Sequence, residues 1–209
     1  MEDVLNVYQR PRDAQRPLVC LDEFCKQLLA PARVEVPAQP GQPAREDYEY
    51  VRCGMCSAFM AYSPLEGRRE VRVSGQRTAV QYAQTIRWLC DEVYPRAEKI
   101  VLVQDNLNTH GPASLYEAFA PEEALRLKER IEWHYTPKHG SWLNMAEIEI
   151  GVAQRQCLDR RMPDKAVVER ELLRWAEARN ELNAGTDWQF TTTDARTKLR
   201  RLYPATSLQ

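Results

Sequence analysis

The apolar positions of this chain change period several times, and each change marks an element. "RPLVCLDEF" is an apolar run of strand length that closes on Asp22. Residues 48–63 and 69–74 read as two or three further strands, with "SPLEGR" as the turn between them. In "GQRTAVQYAQTIRWLCDEVYP" the residues Val80, Ala83, Ile86, Leu89, Cys90 and Val93 fall at helical spacing, and Pro95 ends the pattern. Ile100 to Val103 is a second buried-strand run, and it finishes abruptly on Asp105, Asn106, Asn108 and His110. Short helices are predicted over Ala113 to Phe119 and in "APEEALRLKER", whose acidic residues stand at the favourable end of the helix dipole. "IEWHYTP" is one more strand, ended by Pro137, and after the turn "KHGS" helices are predicted from Trp142 to Asp159 and from Pro163 to Asn180.

This order of elements predicts an α/β fold with a sheet of mixed direction in one domain. Residues 1–16, polar and containing Pro11, read as an approach segment outside the core. The proline-rich "RVEVPAQPGQPAREDY" reads as an exposed loop. The body of the domain is expected over 17–182, with 183–209 as a carboxy-terminal extension.

Composition narrows the class of protein. The 209 residues, 44% of them hydrophobic, suffice for a real core. The 29 basic and 30 acidic residues leave a net charge of -1, which argues against a tight general nucleic-acid binder but leaves room for a local basic groove. There is no apolar run of about 18 residues and no basic-then-apolar leader, so neither a membrane span nor a signal peptide is expected, and the cytosol is the expected compartment. The six cysteines (Cys20, Cys25, Cys53, Cys56, Cys90, Cys157) show no disulfide-framework rhythm and are expected to be reduced and mostly buried. Cys53 and Cys56 have metal-like spacing, but residues three apart on a strand point to opposite faces unless Gly54 bends the chain, so a packing role is expected.

The candidate chemistry lies in three carboxylates. Asp22 and Asp105 each stand at the carboxyl end of an apolar strand, the edge of an open α/β sheet where ligand sites collect. Glu147 stands one turn into the helix of "SWLNMAEIEIG", whereas Glu149 lies about 200 degrees further around it and should face elsewhere. Taken singly, each has an ordinary explanation as a turn or capping residue; the joint placement favours a function. For Glu23 the ordinary explanation is stronger, since neighbours on a strand point to opposite faces. Converging carboxylates repel unless a cation neutralises them, and oxygen donors suit magnesium. Two such ions would serve in-line phosphoryl transfer. His110 and His139 sit in adjacent loops, where each would contact a phosphate, orient a water or simply satisfy its loop; neither is expected to ligate metal.

"LVCLDEF", "KIVLVQDNLNTH" and "HYTPKHGSWLNMAEIEIG", closed by "WQFTTTDARTKLRRLYP", resemble the catalytic core of bacterial transposases of the insertion-sequence-630 type, relatives of the mariner-like transposases. The resemblance implies an RNase H-like, retroviral-integrase-like fold: a central five-stranded mixed sheet flanked by helices. It implies Asp22, Asp105 and Glu147 as the catalytic, metal-binding DDE triad, with magnesium as cofactor, manganese as a substitute and two ions as the expected number. It also implies cleavage at transposon ends, attack of the freed 3' hydroxyl on target DNA, double-stranded DNA as partner and a homodimer in the bacterial cytosol at the nucleoid. The family's amino-terminal helix-turn-helix region has no counterpart before Asp22, so end recognition is expected from elsewhere, including a separate chain. Lys138, His139 and Trp142 are the candidate DNA contacts, a cation and an aromatic placed to meet phosphate and an unstacked base. For Trp142 a place in the core is the competing expectation, and for Arg196, Lys198, Arg200 and Arg201 a solvated helix face. Two rival functions remain at this stage: an RNase H-like nuclease that cuts without joining, and a non-catalytic relic or binding module.

Overall fold

Five strands form one sheet in the order β3-β2-β1-β4-β5: β1 (Leu18–Pro31), β2 (Tyr50–Ser63), β3 (Arg68–Ser74), β4 (Ile100–Gln104) and β5 (Ile131–Tyr135). The computed structural model describes residues 1–33, 40–42 and 48–203. β1, β2 and β3 pair antiparallel, while β1, β4 and β5 run parallel, so the sheet is mixed. Side chains alternate between two cores with the two-residue period of a strand. Leu18 and Cys20 of β1 join one core and Val19 and Leu21 the other; Val101 and Val103 of β4 separate from Ile100 and Leu102 in the same way.

Helices cover both faces, which is why β4 is buried throughout and apolar from Ile100 to Val103 rather than alternating. α1 (Glu2–Tyr8) lies on the Cys20 face, and α2 (Ala79–Trp88), α3 (Pro112–Ala118) and α4 (Pro121–Glu129) cover the Leu21 face. The Cys20 face is completed by α5 (Met145–Ala153), α6 (Lys165–Glu181) and α7 (Thr192–Lys198). Leu102 is fully buried in the middle of the Leu21-face core. Leu102→Ala is expected to cost about 2–5 kcal/mol, seen as a lower urea midpoint with an unchanged slope.

Several elements differ from their sequence-based outlines. Residues 1–16 do not stay outside the core: Val4, Leu5 and Val7 of α1 are fully buried. A single amphipathic turn is too short to show a period, which is why the segment reads as polar. β1 continues to Pro31 because β2 supplies partners up to the Pro31–Tyr50 pair. β3 reaches only Ser57, so the far halves of β1 and β2 form a two-stranded ribbon, exposed along Tyr50 to Met55. The register shifts between Gln27 and Leu29, opposite Gly54 at φ +98, so the chain does bulge there. Cys53 is nevertheless exposed and Cys56 buried, and all six cysteines are free thiols; Cys25 joins Cys53 in being exposed. The helix expected over 142–159 is three pieces, a 3-10 turn over Ser141–Leu143, α5, and a π turn over Gln154–Leu158. The proline-rich loop falls largely outside the described residues.

Candidate active site

Parallel pairing of β1 with β4 runs from the Leu18–Val101 pair to the Cys20–Val103 pair and stops. Two residues further along each chain come Asp22, still within β1, and Asp105, just past the end of β4, near enough that the charge of Asp105 is felt at Asp22. β4 ends at Gln104 while β1 runs on past Asp22 to Pro31, still paired with β2, so the apolar run that closes on Asp22 does not close the strand, and the crevice of the site lies beside the middle of β1 and the end of β4. Glu147 arrives from α5, in the first turn, where its charge suits the helix dipole. Its helix is tied to the same place by Asn144. This fully buried residue caps α5 by accepting from the Ala146 N–H at 3.1 Å, while its Nδ2 donates to Leu21 O at 2.9 Å and to Asp22 Oδ2 at 3.2 Å. Asn144 therefore sets the α5 terminus against the strand that carries Asp22. The capping signal of "LN" before a helix was readable; the second bond, across more than a hundred residues of chain, was not.

The charges of this crevice are unevenly compensated. Burial lifts the Asp22 carboxyl to about 7, and the negative charges of Glu23, Asp105 and Glu147 add to the lift against one backbone hydrogen bond from Glu23. Burial works the same way on Asp105, but a hydrogen bond and the positive charge of His110 outweigh it and hold that carboxyl below its ordinary value. For His110, burial alone would lower the imidazole; its contacts with Asp105 and Glu23 instead raise it to about 9. At neutral pH an imidazolium thus bridges two carboxylates while Asp22 lacks a cation.

Glu23 needs correction. It does point to the face opposite Asp22, as expected, but that face holds chemistry. Its side chain is 6% exposed and lies 3.0 Å from His110 Nε2, close though not in hydrogen-bond alignment, while His110 Nδ1 binds Asp105 Oδ1. The His110 ring stacks on Tyr82 at 4.8 Å, Tyr82 donates to Gln104 Oε1 at 2.7 Å, and Gln104 Nε2 donates to His110 O at 3.1 Å. His110 is thereby held on its ring face, its backbone and both ring nitrogens. Its folded pKa lies above its unfolded value of 6.5, so the stability it contributes is complete below that value and is lost as pH rises through about 9. His110→Gln is expected to cost about 2–3 kcal/mol at pH 6 and far less at pH 10, read from melting curves at both.

The donor set fits a hard divalent cation: three carboxylates, one raised by burial and then by its acidic neighbours, and no soft ligand. As the side chains stand, no group of three His, Cys, Asp or Glu among the described residues is arranged to hold an ion; Asp105 Oδ1 is bound by His110 and Asp22 Oδ2 by Asn144.

Of the expected DNA contacts, Lys138 and His139 are exposed and share with Asp105, Asn106 and Thr136 an open cleft of about 390 Å³. The turn bearing them is tight. Gly140 N donates to Pro137 O at 2.8 Å, a Cβ at Gly140 would lie 2.6 Å from Pro137 Cγ, and His139 takes φ +63. Trp142 is 42% exposed rather than in the core, stacks on Trp188 at 6.4 Å and meets Phe190 edge-on at 5.8 Å. A second cavity, about 340 Å³, lies at the opposite end of the parallel strands beside Leu18 and Val101, where Arg10 and Arg16 are bound to Glu132 and Arg12 to Glu66. Its arginines are committed to carboxylates, and the carboxylate crevice remains the better candidate.

Comparison with solved structures finds the same architecture in a mariner transposase. The Mos1 mariner paired end complex with Mn matches with a TM-score of 0.53 at 20% identity, covering 87% of this chain and 54% of that one. The Mos1 strand transfer complex matches with a TM-score of 0.53 at 18% identity, covering 87% and 53%. The chain thus spans about half the length of either structure. At such identities the likeness is one of fold, and the mixed five-stranded sheet flanked by helices is RNase H-like. Comparison with curated proteins finds no match. A family model described as DDE superfamily endonuclease matches residues 17–168, most of the chain, and on that ground the protein belongs to the DDE superfamily endonucleases.

Proposed function

We propose that this is the catalytic domain of an insertion-sequence-630-type transposase, which cuts transposon-end DNA and joins the freed 3' hydroxyl to target DNA. The observation that carries the reading is that Asp22 and Asp105 each follow the last pair of the parallel strands β1 and β4 by two residues, with the Glu147 helix tied to Asp22 through Asn144. Asp22, Asp105 and Glu147 would hold the divalent metal, magnesium or manganese, which when bound supplies an activated water or hydroxyl and a stabilised leaving oxygen. The remaining roles belong to the chain itself. Asp22 carries its proton near neutral pH and must release it to act as an anionic ligand. His110 holds Asp105 from the side away from the cleft, and Asn144 holds Asp22 and α5 together. Lys138 and His139 bind the phosphate backbone beside Asp105, and the open face of Trp142 stacks on an unpaired base.

The names of the Mos1 complexes support paired ends and strand transfer as the context, and we extend to this chain a dimer holding two ends, with inverted-repeat recognition supplied by a helix-turn-helix region outside these residues. The test is joining of a pre-cut end oligonucleotide to plasmid DNA with manganese. Joined product supports the transposase; cleavage without joining supports a nuclease; neither, with binding retained, supports a binding module.

A further inference from the structure

Glu149, which takes no part in the proposed chemistry, lies in a buried ionic network on the far side of the helix that carries Glu147. Glu149 is 3% exposed and Arg69, on β3, is fully buried. Arg69 Nη1 donates to Gly67 O at 2.9 Å and Nη2 to Ala184 O at 2.6 Å, while Nε stands 2.9 Å from Glu149 Oε2 without hydrogen-bond alignment. Arg179 of α6 grips the same carboxylate with two bonds, Nε to Oε2 at 3.2 Å and Nη2 to Oε1 at 3.1 Å. The guanidinium of Arg69 also lies 5.0 Å from the Tyr62 ring centroid. Its backbone is locked in turn: Arg69 N donates to Asn180 Oδ1 at 2.8 Å, and Asn180 Nδ2 donates to Arg69 O at 2.9 Å. Every anchor of the Glu149 carboxylate is therefore a rigid part of β3, α6 or the loop after α6.

Such a network is a poor way to obtain stability. Ions lose their hydration on burial, and well-packed apolar residues in their place are often as stable or more so. What directed bonds provide, and apolar contact does not, is a fixed rotation and height of a helix. Glu147 and Glu149 are two residues apart, about 200 degrees around α5, so a carboxylate pinned on one side determines where the other points. Asn144 fixes the start of the helix on the crevice side, and Glu149 fixes it from behind; Glu147 lies between them in sequence. We infer that Arg69, Glu149 and Arg179 are positioning residues that aim Glu147 into the metal site, an inference that rests on the triad proposed above.

The test replaces the buried pair by an apolar one, Arg69→Met with Glu149→Met, and titrates manganese by electron paramagnetic resonance on the full chain, with the parent and Glu147→Gln alongside. The double variant, which leaves Arg179 without its carboxylate and the Gly67 and Ala184 carbonyls without a donor, is expected to melt below the parent without metal and to bind manganese about ten-fold or more weakly, as loss of ligand-orienting partners does. A folded double variant with the parent's manganese affinity would overturn the inference. Should the double variant not fold, Arg179→Met removes one arm at a position 20% exposed. About three-fold weaker binding there supports the inference, and unchanged binding overturns it. A parent whose manganese titration matches that of Glu147→Gln would instead overturn the triad itself, and the inference with it.

Discussion

Asp105→Asn should lose metal-dependent end joining by a factor of at least about a thousand, on the order of 4 kcal/mol in transition-state stabilisation, while keeping the fold. The substitution preserves shape and leaves an amide oxygen for the Leu107 N–H, which now reaches Asp105 Oδ1 at 3.4 Å. What disappears is the negative charge on the crevice side. His110 keeps Glu23 as a counter-charge, so its imidazolium is not left alone in the interior. Parent and variant compared in the manganese joining assay, with circular dichroism as a check on folding, decide the matter. Equal behaviour of the two proteins in every DNA assay would mean that the charge of Asp105 does no chemistry, and would turn the reading toward a binding module.

Asp22→Asn is expected to do the opposite to stability: at pH 8 without metal the variant should melt above the parent. In the fold Asp22 keeps its proton up to about 7, against an ordinary value of 3.8. Between these values the folded chain binds more protons than the unfolded one. The parent's stability therefore falls as pH rises from 3.8 through about 7 and stays at the lower level above it. An asparagine is neutral throughout and escapes the loss. The gap is on the order of 3 kcal/mol at pH 8 and closes near pH 4, several degrees in melting temperature for a domain of this size. Manganese should narrow the gap by stabilising the parent alone. A difference that stays constant from pH 4 to pH 8 would show that Asp22 titrates as an ordinary carboxyl. A destabilising native aspartate is what a site built for a cation requires, since function and stability part company at such positions.

Both aspartates were legible because each ends an apolar run, a purely local pattern, but only Asp105 follows the end of its strand; β1 runs on past Asp22 to Pro31 because β2 pairs with it. Glu147 was legible as a first-turn residue of a helix with a strong start signal. Glu23 was misjudged for an instructive reason: its facing away from Asp22 is correct, but the loop after β4 brings His110 round to that face, where it bridges Glu23 to Asp105. Nothing within "LDEF" or "NTH" announces that meeting. The same holds for α1, whose buried face is too short to give a period, and for the ribbon half of β1, which exists because β2 pairs with it.

By itself, then, the order of apolar periods determined an α/β sheet with acidic residues where apolar runs stop and near a helix start, since these depend on neighbours a few positions away. Tertiary structure alone decided which charges meet. The pairing of β1 with β4 brought Asp22 and Asp105 to the same end of that ladder, a buried asparagine joined α5 to Asp22, and Arg69 met Glu149 across eighty positions of chain. Whether a carboxylate is raised, lowered or neutralised depends on burial and on the charge a few ångströms away, and those distances come into being when the chain has folded.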